Sequence, residues 1–210
     1  MIFTKLGFIL FCKIKHMNYL FRICLVGDSG TGKTTFIESL IKNFYYESKE
    51  KTIAIDLLTY MADDIKFQVW DTSGNIMFLG IVRSYFKDAS GILLFFSDKK
   101  SFDNIDYWVG EIRKINQKCK LILIQSMSDS NIEYIGEHDV HVKCDKYFVD
   151  KFIRIDSKYM KNIGSVLPEM AKLLVHKRAV SYNNTTDYIK LEGDRDDEEG
   201  KNLCDKCSVL

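Results

Sequence analysis

The eight residues GDSGTGKT, Gly27 to Thr34, constrain this chain more than any other feature. They satisfy G-x-x-x-x-G-K-[ST] and stand between two segments of different periodicity. Before them, YLFRICLV (19–26) is an apolar run of strand type. After them, apolar side chains recur at Phe36, Ile37, Leu40, Ile41 and Phe44, which is the spacing of a helix stripe. A glycine-rich turn between a buried strand and a helix lets backbone N–H groups curl around phosphate oxygens at the positive end of the helix. Lys33 then supplies a cation for the β- and γ-phosphates, and the Thr34 hydroxyl a ligand for Mg²⁺. Asp28, Ser29, Gly30, Thr31, Gly32 and Thr35 complete a site for a nucleoside triphosphate.

The rest of the chain alternates strand and helix patterns. TIAIDLLTYM and DIKFQVW are strand-like runs joined by a hairpin near Ala62-Asp63-Asp64. GILLFFS (91–97) is a continuous apolar run, the mark of a strand covered on both faces, and KLILIQS (120–126) reads as another buried strand. KFIRI (151–155) is a weaker strand. SFDNIDYWVGEIRKI reads as a helix with Ser101 as N-cap and Phe102, Ile105, Trp108, Val109 and Ile112 on one stripe. VLPEMAKLLVHK reads as a last helix, with Pro168 in its first turn or at a kink. This order predicts an α/β fold, a parallel sheet with helices on both faces.

Composition restricts the class further. At 46% hydrophobic and 28% charged the 210-residue chain has a globular balance, and a net charge of +1 gives no electrostatic case for nucleic acid. The six cysteines are too scattered for a disulfide framework, so a reducing, cytosolic setting is expected. Residues 1–18 form an extension of doubtful status. Its apolar run Leu6 to Cys12 is too short to span a bilayer, no small-residue cleavage site follows, and Met17 is an alternative start. Beyond about Arg178 the chain becomes polar and acidic, which predicts a flexible tail over 178–210 behind a domain at 19–177.

YLFRICLVGDSGTGKT followed by WDTSG (70–74) resembles the small Ras-like GTPases, and among them the Rabs, over roughly residues 19 to 176. The resemblance implies a P-loop GTPase fold, a mostly parallel six-stranded sheet flanked by helices, with GTP or GDP and Mg²⁺ as ligands. It implies two switch segments that reorder around the γ-phosphate. Thr52, eighteen residues after Thr34, matches the switch I threonine that adds a second hydroxyl to Mg²⁺. Tyr45 matches the aromatic packed edge-on to guanine. Asp71 matches the carboxylate behind the Mg²⁺ site, and Gly74 the glycine whose N–H meets the γ-phosphate. Trp70 and Tyr85, with Leu57 in place of a usual phenylalanine, resemble the cluster through which effectors read the switch. Effectors, an exchange factor and an activating protein are thus expected on Thr52–Leu57 and Asp71–Tyr85.

Further positions, around Asn75 and in the guanine motif, depart from the family pattern. Asn75 stands where the family has the glutamine that orients the attacking water, and Ile76 where it has glutamate. The amide of Asn75 is one methylene shorter, and misplacement on the order of 1 Å costs roughly a hundredfold, so slow hydrolysis is expected. The guanine motif N-K-x-D aligns with Ser126, Met127 and Asp129 in SMSD. Asp129 keeps the carboxylate for guanine N1–H and N2–H₂, which disfavours adenine. Ser126 is too short for the bond to N7 and for the tie to the phosphate loop; Met127 covers the base. In DSK (156–158), Ser157 offers backbone N–H to O6 and Lys158 packs on the base. Nucleotide affinity is expected to fall by roughly 1–3 kcal/mol.

The chain ends in CSVL, a C-a-a-X box on Cys207 whose terminal leucine favours geranylgeranylation. Cys204 is the candidate for a second lipid, since one chain anchors marginally and the acidic GDRDDEEGK cannot attract anionic lipid. A prenyltransferase, a prenyl-binding chaperone and the cytoplasmic face of an intracellular membrane are the partners this implies, with a cytosolic pool. Two functions remain open at this point: a slow GTP-dependent switch of vesicle traffic, or a prenylated pseudo-GTPase that holds nucleotide weakly or without hydrolysing it.

Overall fold

In a computed structural model of the chain, the described residues are 19–46, 51–62, 65–127 and 135–182, the side chains of 176–182 excepted. Among them six strands form one sheet in the order β2-β3-β1-β4-β5-β6. These are β1 (Tyr19–Gly27), β2 (Ile55–Ala62), β3 (Ile65–Thr72), β4 (Gly91–Phe96), β5 (Lys120–Ser126) and β6 (Lys151–Ile155). Only β2 runs antiparallel, paired to β3 from Ile55 opposite Thr72 to Ala62 opposite Ile65. The helices are α1 (Lys33–Lys42), α2 (Leu79–Phe86), α3 (Lys99–Asp103), α4 (Ile105–Ile115), α5 (Glu137–Tyr147) and α6 (Val166–Tyr182). The expected α/β architecture is present.

The sheet is covered on both faces because β4 is buried at every position and β1 is buried throughout from Ile23 to Gly27. Alternate residues of β1 and β4 serve opposite cores. Phe21, Ile23, Leu25, Leu93 and Phe95 pack with α1 and α6, while Cys24, Val26, Ile92, Leu94 and Phe96 pack with α2, α3, α4 and α5. Pro168 falls in the first turn of α6, where its missing N–H costs no helical bond.

Local details differ from expectation. The helix after β4 is capped by Asp98, whose carboxylate accepts the Ser101 N–H at 2.8 Å, while Ser101 Oγ accepts the Asp98 N–H at 3.0 Å. Ser101 is therefore the reciprocal partner in a capping box rather than the N-cap; a carboxylate three residues upstream outcompetes it. Helix α1 stops at Lys42 with Asn43 left-handed at φ 58°, so Phe44 lies past its end and is exposed, as is Ile41. Strand β2 begins at Ile55, leaving Thr52 in a loop. Two helices, α2 and α5, have no forecast from periodicity. In α5 a lone buried side chain, Val140, gives almost no apolar stripe.

Helix α2 is pinned to α4 by Glu111, nearly fully buried, which binds Arg83 on one oxygen and Lys114 at 2.7 Å on the other. The Lys114 bond, against burial and with help from Arg83, holds the Glu111 carboxyl below its ordinary value of 4.5. Glu111→Gln should cost about 2 kcal/mol at pH 7. That corresponds to a melting temperature lower by about 6 °C. A folded carboxyl more acidic than the unfolded one stabilises fully above pH 4.5 and less as pH falls through the folded value. The melting curves of parent and variant should thus converge below that pH; a constant gap would show that the charge of Glu111 is not what matters.

Candidate functional site

Four sheet-end segments converge at the C-terminal edge of β1: the phosphate loop, the segment before β2, the segment after β3 and the loop before α3. They enclose a cleft of about 630 Å³ lined by residues that include Asp28, Ser29, Lys51, Thr52, Gly74, Asn75 and Asn104. Such a position, outside the carboxyl ends of parallel strands, is where α/β sheets bind ligands.

The phosphate loop turns on two glycines. Gly30 and Gly32 are left-handed at φ 86° and 84°. Gly32 has a second constraint, because a Cβ there would fall 2.6 Å from Ser126 Oγ. Ser126 thus touches the loop, by packing. Lys33, only 5% exposed, donates from Nζ to the carbonyls of Gly27 at 2.8 Å and Asp28 at 2.7 Å. Burial lowers its ammonium to about 8, although Asp71 and Asp28 oppose the shift. Thr35 follows on α1, half-buried.

Thr34, Thr52 and Asp71 come from three different segments and meet. Thr34 Oγ1 donates to Asp71 Oδ2 at 2.6 Å and lies 2.9 Å from Thr52 Oγ1, which is 3.4 Å from the same carboxylate oxygen. Asp71 is fully buried, its other oxygen Oδ1 has no hydrogen-bond partner, and burial raises its carboxyl while the Thr34 bond opposes. Clustered hard oxygens with an unsatisfied buried carboxylate oxygen fit Mg²⁺, which takes few protein ligands of this kind. Gly74 packs so closely on the loop that a Cβ would overlap the backbone of Asp28 and Ser29.

Asn75 is exposed, and its side chain is committed locally. Its Oδ1 accepts the Met77 N–H at 3.0 Å, capping a one-turn 3₁₀ helix at Ile76–Phe78. Ile76 and Met77 beside it are exposed, whereas Trp70 and Tyr85 stack edge to face at 5.0 Å, with Leu57 paired across the ladder from Trp70.

On the other side of the phosphate loop, where Ser126 meets Gly32, β5 and β6 end side by side, Ser126 opposite Ile155, and Met127 N donates to the Ile155 carbonyl at 2.8 Å. This brings Met127, 39% exposed, beside the turn that carries Ser157 and Lys158. Ser157 is buried with its hydroxyl unpartnered. Tyr45 is partly exposed on the segment leaving α1. Asp129, the extension 1–18 and both C-terminal cysteines, Cys204 and Cys207, lie outside the described residues.

Two functional-looking contacts escape sequence reasoning: Asn104 Nδ2 and Trp108 Nε1 both donate to the Asp28 carboxylate at 2.7 Å. The sequence signals an apolar stripe through Trp108 but not the polar tip of its ring.

This fold and this loop define a P-loop protein of the nucleotide-binding class, with the segments before β2 and after β3 lying against the loop. Residues 22–129 match the family model for the Ras of Complex, Roc, domain of DAPkinase. The chain is 31% identical over 177 residues to Ras-related protein Rab-1 of Theileria annulata, covering 78% of each. It is 28% identical over 174 residues to Ras-related protein Rab-19 of Rattus norvegicus, 79% of this chain and 80% of that one. With Ras-related protein Rab-26 of Rattus norvegicus it shares 30% over 185 residues, 82% and 72% of the two chains. The chain belongs to the Rab-like small GTPases of the Ras superfamily, as a divergent member. It is a small GTP-binding switch protein.

Proposed function

We propose that this protein is a GTP-operated switch of intracellular membrane traffic whose own hydrolysis is slow. The convergence of Thr34, Thr52 and Asp71 beside Lys33 carries the reading, because it joins both switch segments to one phosphate site. Lys33 neutralises the β- and γ-phosphates, and Gly74 offers its N–H to the γ-phosphate. Thr34 and Thr52 hold Mg²⁺ with Asp71 behind them, and the ion neutralises phosphate charge when bound. Asp28, Ser29, Gly30, Thr31, Gly32 and Thr35 form the cradle. Tyr45, Ser126, Met127, Asp129, Ser157 and Lys158 receive the guanine, and the buried free hydroxyl of Ser157 supports a polar ligand group there.

Slow hydrolysis is supported by the cap on Asn75. An amide orients water by accepting one of its protons, and the carbonyl oxygen of Asn75 is already directed at Met77. An activating protein that supplies its own groups would restore turnover. The same observation favours a second reading, a pseudo-GTPase that retains nucleotide as a scaffold. Under either reading Cys207 takes a prenyl group, with Cys204 a second lipid, and a prenyltransferase and prenyl-binding chaperone move the chain between cytosol and membrane. No described helix is long and apolar enough to cross a membrane.

The test uses the full chain. Bound nucleotide is extracted and identified by chromatography, and single-turnover hydrolysis of loaded GTP is followed with Mg²⁺. Bound GDP with slow turnover supports the switch. Retained GTP without turnover selects the scaffold. A preparation that can be loaded with neither nucleotide overturns both.

A further inference from the structure

Asp28 holds a phosphate-loop position, yet its carboxylate is spent on another element. One oxygen accepts Asn104 Nδ2, in the link between α3 and α4, and the other accepts the indole N–H of Trp108 on α4, both at 2.7 Å. Trp108 is buried in the core beneath the sheet, so this anchor is rigid. The backbone carbonyl of the same residue accepts Lys33 Nζ at 2.7 Å and Thr31 Oγ1 at 2.9 Å. Gly74 of the second switch segment rests on its backbone. Asp28 is thus a joint at which α4, the loop cation and a switch segment meet.

We propose that the Asp28–Asn104–Trp108 cluster positions the phosphate loop and sets how fast bound nucleotide leaves; this rests on the reading that the loop holds a nucleoside phosphate. Two physical effects act together. Fixing the side chain fixes the carbonyl to which Lys33 is tied, so the cradle is organised before the ligand arrives and less ordering is lost on binding. The two N–H donors also hold the carboxylate against α4 and partly offset its negative charge, which opposes a polyanion on the loop. Released from α4, the carboxylate would repel the ligand and the 28–31 turn would sample open forms. Asn104 and Trp108 are positioning residues, acting through Asp28.

The test is the release of a fluorescent GDP from the full chain in excess Mg²⁺, chased with unlabelled GDP. Trp108→Phe keeps an aromatic side chain but deletes the N–H together with the pyrrole half of the indole; release should quicken about tenfold, the worth of one charge-assisted hydrogen bond. Asn104→Asp sets a second carboxylate against Asp28 and should quicken release further. Adding Asp28→Asn to Asn104→Asp should return release close to the parent rate, because the new amide donates to the new carboxylate and still accepts from Trp108. This reciprocal pair keeps the question decidable if Trp108→Phe fails to fold. Unchanged release in Asn104→Asp overturns the proposal, and so does acceleration that the reciprocal pair does not reverse, which would be general loosening. Should the unaltered chain take up no GDP, the nucleotide reading itself falls and the proposal with it.

Discussion

Asn75→Gln should speed single-turnover GTP hydrolysis by up to about a hundredfold, the penalty that a displacement near 1 Å imposes on a positioned group. Two changes contribute. The extra methylene carries the amide further into the cleft that Asn75 lines with Thr52 and Gly74. It also ends the cap on Met77, because glutamine is a poor N-cap and its oxygen then swings free of the 3₁₀ turn. Losing the cap should cost about 1 kcal/mol. A faster rate accompanied by a slightly lower melting temperature is therefore the expected pair of results. If glutamine leaves the rate unaltered, the slow step lies elsewhere and Asn75 is only a cap. A rate that rises with no loss of stability would deny the cap its energetic role.

Lys33→Ala should weaken GDP binding about a thousandfold, read by equilibrium titration. The ammonium is enclosed by the carbonyls of Gly27 and Asp28 and is only 5% exposed, so its charge acts on a phosphate with little screening by water. The one remaining charge-assisted hydrogen bond to phosphate, together with the poorly screened attraction of the ammonium for the phosphate charge, contributes about 4 kcal/mol. By contrast the ligand-free variant should melt no lower than the parent, since burial already disfavours this cation, as its lowered titration near 8 reflects. Lys33→Arg should not rescue binding, because the broader guanidinium fork does not fit a pocket sized for a point charge. A loss smaller than tenfold would remove Lys33 from the phosphate site.

Much of this protein can be read along the chain. Strand period, helix period and glycine placement are local properties, so GILLFFS and KLILIQS announce buried strands and GDSGTGKT announces a phosphate cradle before any contact is known. The spacing of Thr34, Thr52 and Asp71, through a family resemblance, even anticipates which oxygens meet, and the described geometry brings them together. Helix α5 was not legible because polar surface and a lone buried valine leave no periodic signal. Ser101 is not the cap because its hydroxyl and the carboxylate three residues before it compete for one site, and the folded backbone decides the winner.

What only the tertiary structure decided is where side chains spend their polar atoms. Asp28 finds donors 76 and 80 residues away, and Arg83 finds Glu111 28 residues away. The oxygen of Asn75, which the family pattern assigns to a water, is turned to its own backbone two residues on. Periodicity encodes which face of an element is buried, because burial repeats with the element. A hydrogen bond between distant segments repeats with nothing, and exists only once the sheet order and helix crossings have set two chosen atoms within three ångströms of one another.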